Sequence, residues 1–247
     1  PPFDAGPRRD AGPRPDGGPD AGTDAAARDA AIDTDAGARR ITIDGRLGAS
    51  EWTDAPVYTT TASTSGTPFA GNELASLRAL RDADRLYLAI GAVLTSNNAV
   101  LVYVDHDLGG LDGIVGTPLS LTDFQGALDS ALSRDLFTPV DFRVDFAWGT
   151  TSMPLTAVDG DPAIGWRDVD TPSGLFTSVP LLDAPSVCGV DVCETAIDLD
   201  ALGVAPGSTI ALFVRLGARA GALSNQTLPQ DDASAPDFVS TILFLDP

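Results

Sequence analysis

A chain of 247 residues has room for one large domain and an appendage; 43% of it is hydrophobic, 20% charged and only 6% aromatic. Its 35 acidic residues outweigh 15 basic ones, a net charge of -20, which argues against nucleic acid or an anionic membrane as partner, since no basic patch lies beyond residue 40. No apolar run approaches the roughly 18 residues of a membrane helix, so no transmembrane segment is expected, and no charged leader with an apolar stretch is seen. The chain starts Pro1-Pro2 without Met and reads as a mature or trimmed product.

Residues 1–40 differ from the rest. Eight Asp, six Arg, ten Ala, six Gly and six Pro fill 36 of the 40 positions, leaving almost nothing apolar to offset the roughly 1–2 kcal/mol of backbone entropy per ordered residue. The repeat from Asp4 to Pro15 and the decayed copy after it place Gly6, Gly12 and Gly18 six apart, which excludes the three-residue period of collagen. This segment is expected to be a linker, or a tail that orders by docking on a neighbouring subunit. Its net charge is -2, so residues 41–247 carry -18.

From residue 41 the pattern is β. Ile41 to Ile43 opens it, followed by the turn Asp44-Gly45. Arg85–Val93, Val100–Val104, Phe142–Trp148, Cys193–Ile197, Thr209–Leu216 and Val239–Leu245 have strand length and β-rich composition. Irregular turn spacing suits an antiparallel, jelly-roll-like β-sandwich better than a βαβ series. One segment departs from this: Leu121, Phe124, Leu128, Leu132 and Leu136 recur at helical spacing behind a Ser120 or Thr122 cap, predicting one amphipathic helix over residues 121–135.

The segment Ile43–Trp52, reading IDGRLGASEW, is similar to the start of family 9 carbohydrate-binding modules and their DOMON-like relatives. Asp84–Ala89, Val102–Asp105, Glu194–Leu199 with Leu202–Gly207, and Ser224–Pro229 follow in the family's order, so the resemblance spans residues 41–247. It implies a β-sandwich that is often non-catalytic, frequently holds calcium and serves at cell surfaces. The tail likewise resembles spacers of exported bacterial surface proteins, often lipoproteins, whose anchor would precede Pro1. Some DOMON relatives hold haem through a Met and a His. The single Met153 and His106 lie in no recognisable pocket sequence, and no haem is expected.

The most suggestive chemistry is Asp105-His106-Asp107-Leu108-Gly109-Gly110-Leu111-Asp112-Gly113. Carboxylates of Asp105, Asp107 and Asp112 interspersed with Gly have the oxygen donors and the turning freedom to wrap Ca2+, although the spacing is not that of an EF-hand. The alternative is an acidic, solvated loop. The pairs Asp159/Asp161, Asp168/Asp170 and Asp231/Asp232 read as solvated loops that could complete such a shell. Cys188 and Cys193, the only cysteines, predict one disulfide in an oxidising, extracellular setting. A sugar face needs an exposed aromatic ring; Trp166 is the best such candidate and Trp148 is ambiguous, while Trp52 is expected to pack under the first strand.

No nucleophile elbow, zinc-ligand spacing or phosphate loop appears, and one His leaves little room for a triad, so no enzyme activity is expected. Two readings result. One is an exported, calcium-stabilised, non-catalytic binding module at the cell surface, with a polysaccharide or glycan as partner. The other is a structural subunit of an extracellular filament or surface layer, a homopolymer in which the tail docks on the next copy.

Overall fold

A computed structural model of the chain describes residues 41–62, 69–95, 98–110, 113–115, 137–151, 153–156, 164–168, 182–218, 222–231 and 239–247. The tail of residues 1–40 and the helix expected at 121–135 lie outside them. The described residues form strands and loops with no α-helix. In chain order these are β1 (Val57–Thr59), β2 (Glu73–Arg81), β3 (Arg85–Val93), β4 (Asn98–Asp105), β5 (Ile114–Val115), β6 (Arg143–Val144) and β7 (Phe146–Thr150). They continue as β8 (Leu155–Thr156), β9 (Ile164–Asp168), β10 (Ser186–Cys188), β11 (Val192–Asp198), β12 (Ile210–Ala218), β13 (Leu223–Leu228) and β14 (Leu243–Leu245).

Two antiparallel sheets pack face to face, the β-sandwich that the sequence predicts. The first runs β1-β2-β3-β11-β10-β8; the second runs β13-β12-β4-β7-β9, with β14 also paired to β12. Alternation on β3 explains the layering. Leu86, Leu88, Ile90 and Ala92 join the core between the sheets, whereas Tyr87 and Ala89 pack on the outer face of the first sheet. Asp82 starts this strand by accepting the N–H groups of Asp84 and Arg85 at 2.9 and 2.7 Å, an Asx turn that reverses the chain out of β2.

Each sheet also has a covered outer face. Trp52 and Ala55 lie with Tyr87, Ala89, Val192 and Ala196 on the first sheet, so the segment following Ile41 straps across it. Phe142 and Val239 lie with Leu101, Tyr103 and Phe213 on the second.

The predicted strands shift in detail. Ile41–Ile43 is extended coil rather than strand, because it belongs to the strap and hydrogen-bonds no sheet edge. Phe142–Trp148 divides at Asp145 into β6 and β7, and Val239–Leu245 contracts to β14. Strands β2 and β13 were not expected. In β2 a bulge between Leu74 and Ser76 lets Leu74 and Leu77 face the same core, so the apolar spacing imitates a helix. In β13 the polar Gln226 is buried, where its Oε1 accepts Leu74 N–H at 2.8 Å and its amide donates to Ala62 O, joining the edges of the two sheets.

Candidate functional site

Glu194, in the middle of β11, is fully buried and faces the strap rather than a cation. Its Oε2 accepts the consecutive N–H groups of Asp44, Gly45 and Arg46 at 3.1, 2.9 and 3.2 Å, and its Oε1 accepts the indole N–H of Trp52 at 2.8 Å. Burial pushes the carboxyl upward from the ordinary range, and these four donors work against that shift. Arg78 fastens the far end of the strap by donating to the carbonyls of Trp52 and Ala55 at 3.1 and 3.3 Å. At Gly45, φ is +76°, and a Cβ there would stand 2.6 Å from Gly189 N. Only glycine permits both the dihedral and this crossing of two backbones.

Beside the strap an open groove of about 700 Å3 runs over the outer face of the first sheet, a size that suits a small ligand. Its floor is made by Ser76 of β2 and Gly91 of β3, where a Cβ on Gly91 would meet Ser76 Oγ at 2.5 Å. Arg46 and Leu47 of the strap and Val190 and Asp191 at the tip of the β10–β11 hairpin also line it. Leu47 is 43% exposed and Val190 71%, so both apolar side chains remain available to a ligand. The hairpin is held by the Cys188–Cys193 disulfide, which joins directly opposed residues, as the two cysteines predicted.

A second cluster closes the end of the second sheet. Asp105, the last residue of β4, is 1% exposed and turned into the protein. Its two oxygens accept Asp107 N–H at 3.1 Å and Arg143 N–H at 2.8 Å. Burial, with the nearby charges of Asp145 and Asp107, pushes this carboxyl up to about 6, and the backbone donors offset part of the rise. The register Val104↔Phe146 brings Asp145, just ahead of β7, beside the loop. There its Oδ2 accepts His106 N–H at 2.9 Å and faces His106 Nδ1 at 2.8 Å. His106, Asp107 and Asp145 each present a ligand atom within 4.8 Å of the others.

Of the residues expected to hold Ca2+, Asp107 belongs to this group and Asp105 instead serves two backbone N–H groups. Asp112 lies outside the described residues, as do Asp159, Asp161, Asp170 and Asp232. Among the described residues, the ligand atoms that converge are one imidazole and two carboxylates.

The sugar-stacking candidates are corrected. Trp148 and Trp166 are both 0% exposed and stand directly opposite each other on β7 and β9. Their indole N–H groups reach across the core to the first sheet, Trp148 to Ser186 Oγ at 3.0 Å and Trp166 to Thr195 Oγ1 at 2.7 Å. The polar, turn-rich sequence around Trp166 suggested solvent, but strand β9 places the ring inward and gives its N–H a buried acceptor. Trp52, at 2% exposed, packs on the outer face beneath the strap. Met153 packs against the main core, and His106 pairs with Asp145.

Sequence reasoning missed Glu194 as a hub and Asp145 as a partner of the acidic loop. For Glu194 one signal was available: of only three Glu in the chain, it is the one flanked by apolar strand residues. No family model matches the chain, and no curated protein matches its sequence.

Proposed function

We propose that the chain is a non-catalytic binding module of an exported, cell-surface protein, and that it takes its ligand in the groove beside the strap. The observation that carries this reading is the groove itself, lined by the small residues Ser76 and Gly91, by the charged Arg46 and Asp191 and by the exposed Leu47 and Val190. A guanidinium and a carboxylate in one lining suit a polyhydroxylated ligand, whose hydroxyls both donate and accept, while Leu47 and Val190 suit the C–H faces of a glycan. The disulfide supports an oxidising compartment. A divalent cation on the loop after β4 steadies the fold in this reading; Ca2+ is the ion that the family resemblance implies.

Calorimetric titration of the full chain with soluble polysaccharides tests it. Binding that Arg46→Ala and Asp191→Asn each weaken about tenfold is the expected result, and affinity unchanged in both variants removes the groove from the account.

One observation favours a second reading, the filament or surface-layer subunit. All three tryptophans are buried, and the named groove residues include no aromatic ring, so its valine and leucine walls suit an extended segment of protein as well as sugar. Negative-stain microscopy of the full chain beside a version starting at Arg40 separates the two. Filaments from the full chain alone assign assembly to the tail, and dispersed particles from both leave the glycan reading.

A further inference from the structure

We infer that the strap opens and closes on the first sheet as a unit of its own, with Glu194 as its latch, and that the groove exists only while the strap is closed. The inference rests on the proposal that the groove takes a ligand, and it adds how that site is regulated.

The strap is not attached as a strand is. Among the described residues no backbone-to-backbone hydrogen bond joins residues 44–55 to a strand. Two side chains of the sheet hold it instead: Glu194 accepts the N–H groups of Asp44, Gly45 and Arg46 and the indole of Trp52, and Arg78 donates to the carbonyls of Trp52 and Ala55. The apolar contacts beneath the strap, where Trp52 and Ala55 meet Tyr87, Ala89 and Ala196, form a cluster separate from the core between the sheets. Lifting the strap therefore bares that one layer and leaves the sandwich packed. A segment held by so few contacts opens at a lower free energy than the strands it covers.

The same segment builds the groove. Asp44, Gly45, Arg46 and Leu47 line it beside Val190 and Asp191 of the hairpin, and the Glu194 carboxylate fixes the backbone of the first three. With the strap lifted, only the bare face of the sheet and the hairpin remains. Glu194 does not itself line the groove; it is a positioning residue that acts through the strap.

One close approach shows how the strap can be propped open. A Cβ on Gly189 would stand 2.1 Å from Gly45 O, and one on Gly45 would stand 2.6 Å from Gly189 N. Both obstacles are backbone atoms, which have no rotamer to yield. Gly45 also needs glycine for its positive φ, whereas Gly189 does not, and within the hairpin the nearest atom to its Cβ is Val192 O at 3.6 Å. Gly189→Ala thus fits the hairpin and pushes on the strap alone.

The experiment follows backbone amide exchange of the full chain by NMR, comparing Asp44, Gly45 and Arg46 with amides at the centres of β3 and β12. The strap amides should exchange at least tenfold faster than the strand amides and ignore low urea, the mark of an opening that exposes little surface. Gly189→Ala should speed them at least tenfold further with the sandwich still folded, and Glu194→Gln should do so from the other side of the strap. A soluble glucan, mannan or xylan that binds, present at ten times its Kd, should slow the strap amides about tenfold, because a ligand confined to the closed state holds it closed. Strap amides with the rate and urea dependence of the strands overturn the separate unit, and strap exchange unchanged in Gly189→Ala overturns the crossing as its seat. A polysaccharide that slows the strand amides alone overturns the strap's part in the groove and spares the glycan reading. Binding by none of these polysaccharides removes that reading, and the regulation drawn from it falls as well.

Discussion

Glu194 and Trp52 are 142 positions apart in sequence and joined by a 2.8 Å hydrogen bond from the indole N–H to Oε1. The same carboxylate closes over three successive backbone N–H groups. A single buried side chain thus fastens the entry of the domain to the sheet. Glu194→Ala would strand four donors and is expected to cost about 3 kcal/mol or more. Glu194→Gln keeps an acceptor for the backbone but turns an amide N–H toward Trp52, a loss of about 1–2 kcal/mol. Urea denaturation measures both. If Trp52→Phe costs as much in the Gln background as in wild type, the two side chains are not coupled and the hub is wrong.

Stability should also depend on pH through the two raised carboxyls. Glu194 lies above its ordinary range, and Asp105 is raised to about 6. The folded state therefore holds protons that the unfolded chain has already released. The contribution is fully present below about pH 4 and is lost as pH rises toward 6. Chelator-treated protein melted across pH 4 to 7 should show this fall, and Asp105→Asn should flatten it. A slope that survives in Asp105→Asn/Glu194→Gln would assign the effect to other groups.

The tryptophans serve the core, not a ligand. Trp166→Phe and Trp148→Phe should each lower stability by about 1 kcal/mol or more, because each removes a buried indole donor and leaves part of the ring's volume empty in the core. Neither should alter the affinity for any ligand taken by the groove. An affinity loss at unchanged stability would show that one of these rings reaches the ligand.

Cys188 and Cys193 close a four-residue loop, which restricts few unfolded conformations. Replacing both by Ser should therefore cost near the low end of disulfide stabilisation, about 2 kcal/mol. The hairpin keeps its Gly189 N to Val192 O hydrogen bond at 2.8 Å, so the domain should still fold. A failure to fold would give the bridge a larger part than its loop length allows.

How much of this was legible follows from where the signals lie. Strands β3 and β4 carry uninterrupted β-branched and leucine-rich runs, so their place could be read directly. The two-sheet fold followed from the absence of a repeating helical period between strands. Strand β2 was hidden because one bulged residue changes the apolar period from two to three. Strand β13 was hidden because three of its buried positions are the polar Ser224, Gln226 and Thr227, and the burial of Gln226 depends on partners at Leu74 and Ala62. The acidic loop was found, but not its partner on the next strand. Asp145 is 38 residues beyond Asp107, and only the β4–β7 pairing brings them together. Trp166 misled for the converse reason: polar neighbours describe the loop around a strand, not the direction in which the strand points its third residue.

The strap and the sandwich also carry separate optical labels. Trp52 sits in the outer layer beneath the entry segment, whereas Trp148 and Trp166 sit between the sheets. A loosened strap would admit a small collisional quencher to one indole and leave the emission of the other two blue and protected. Global unfolding would redden all three. Fluorescence can therefore resolve detachment of the entry segment from loss of the fold without adding a dye.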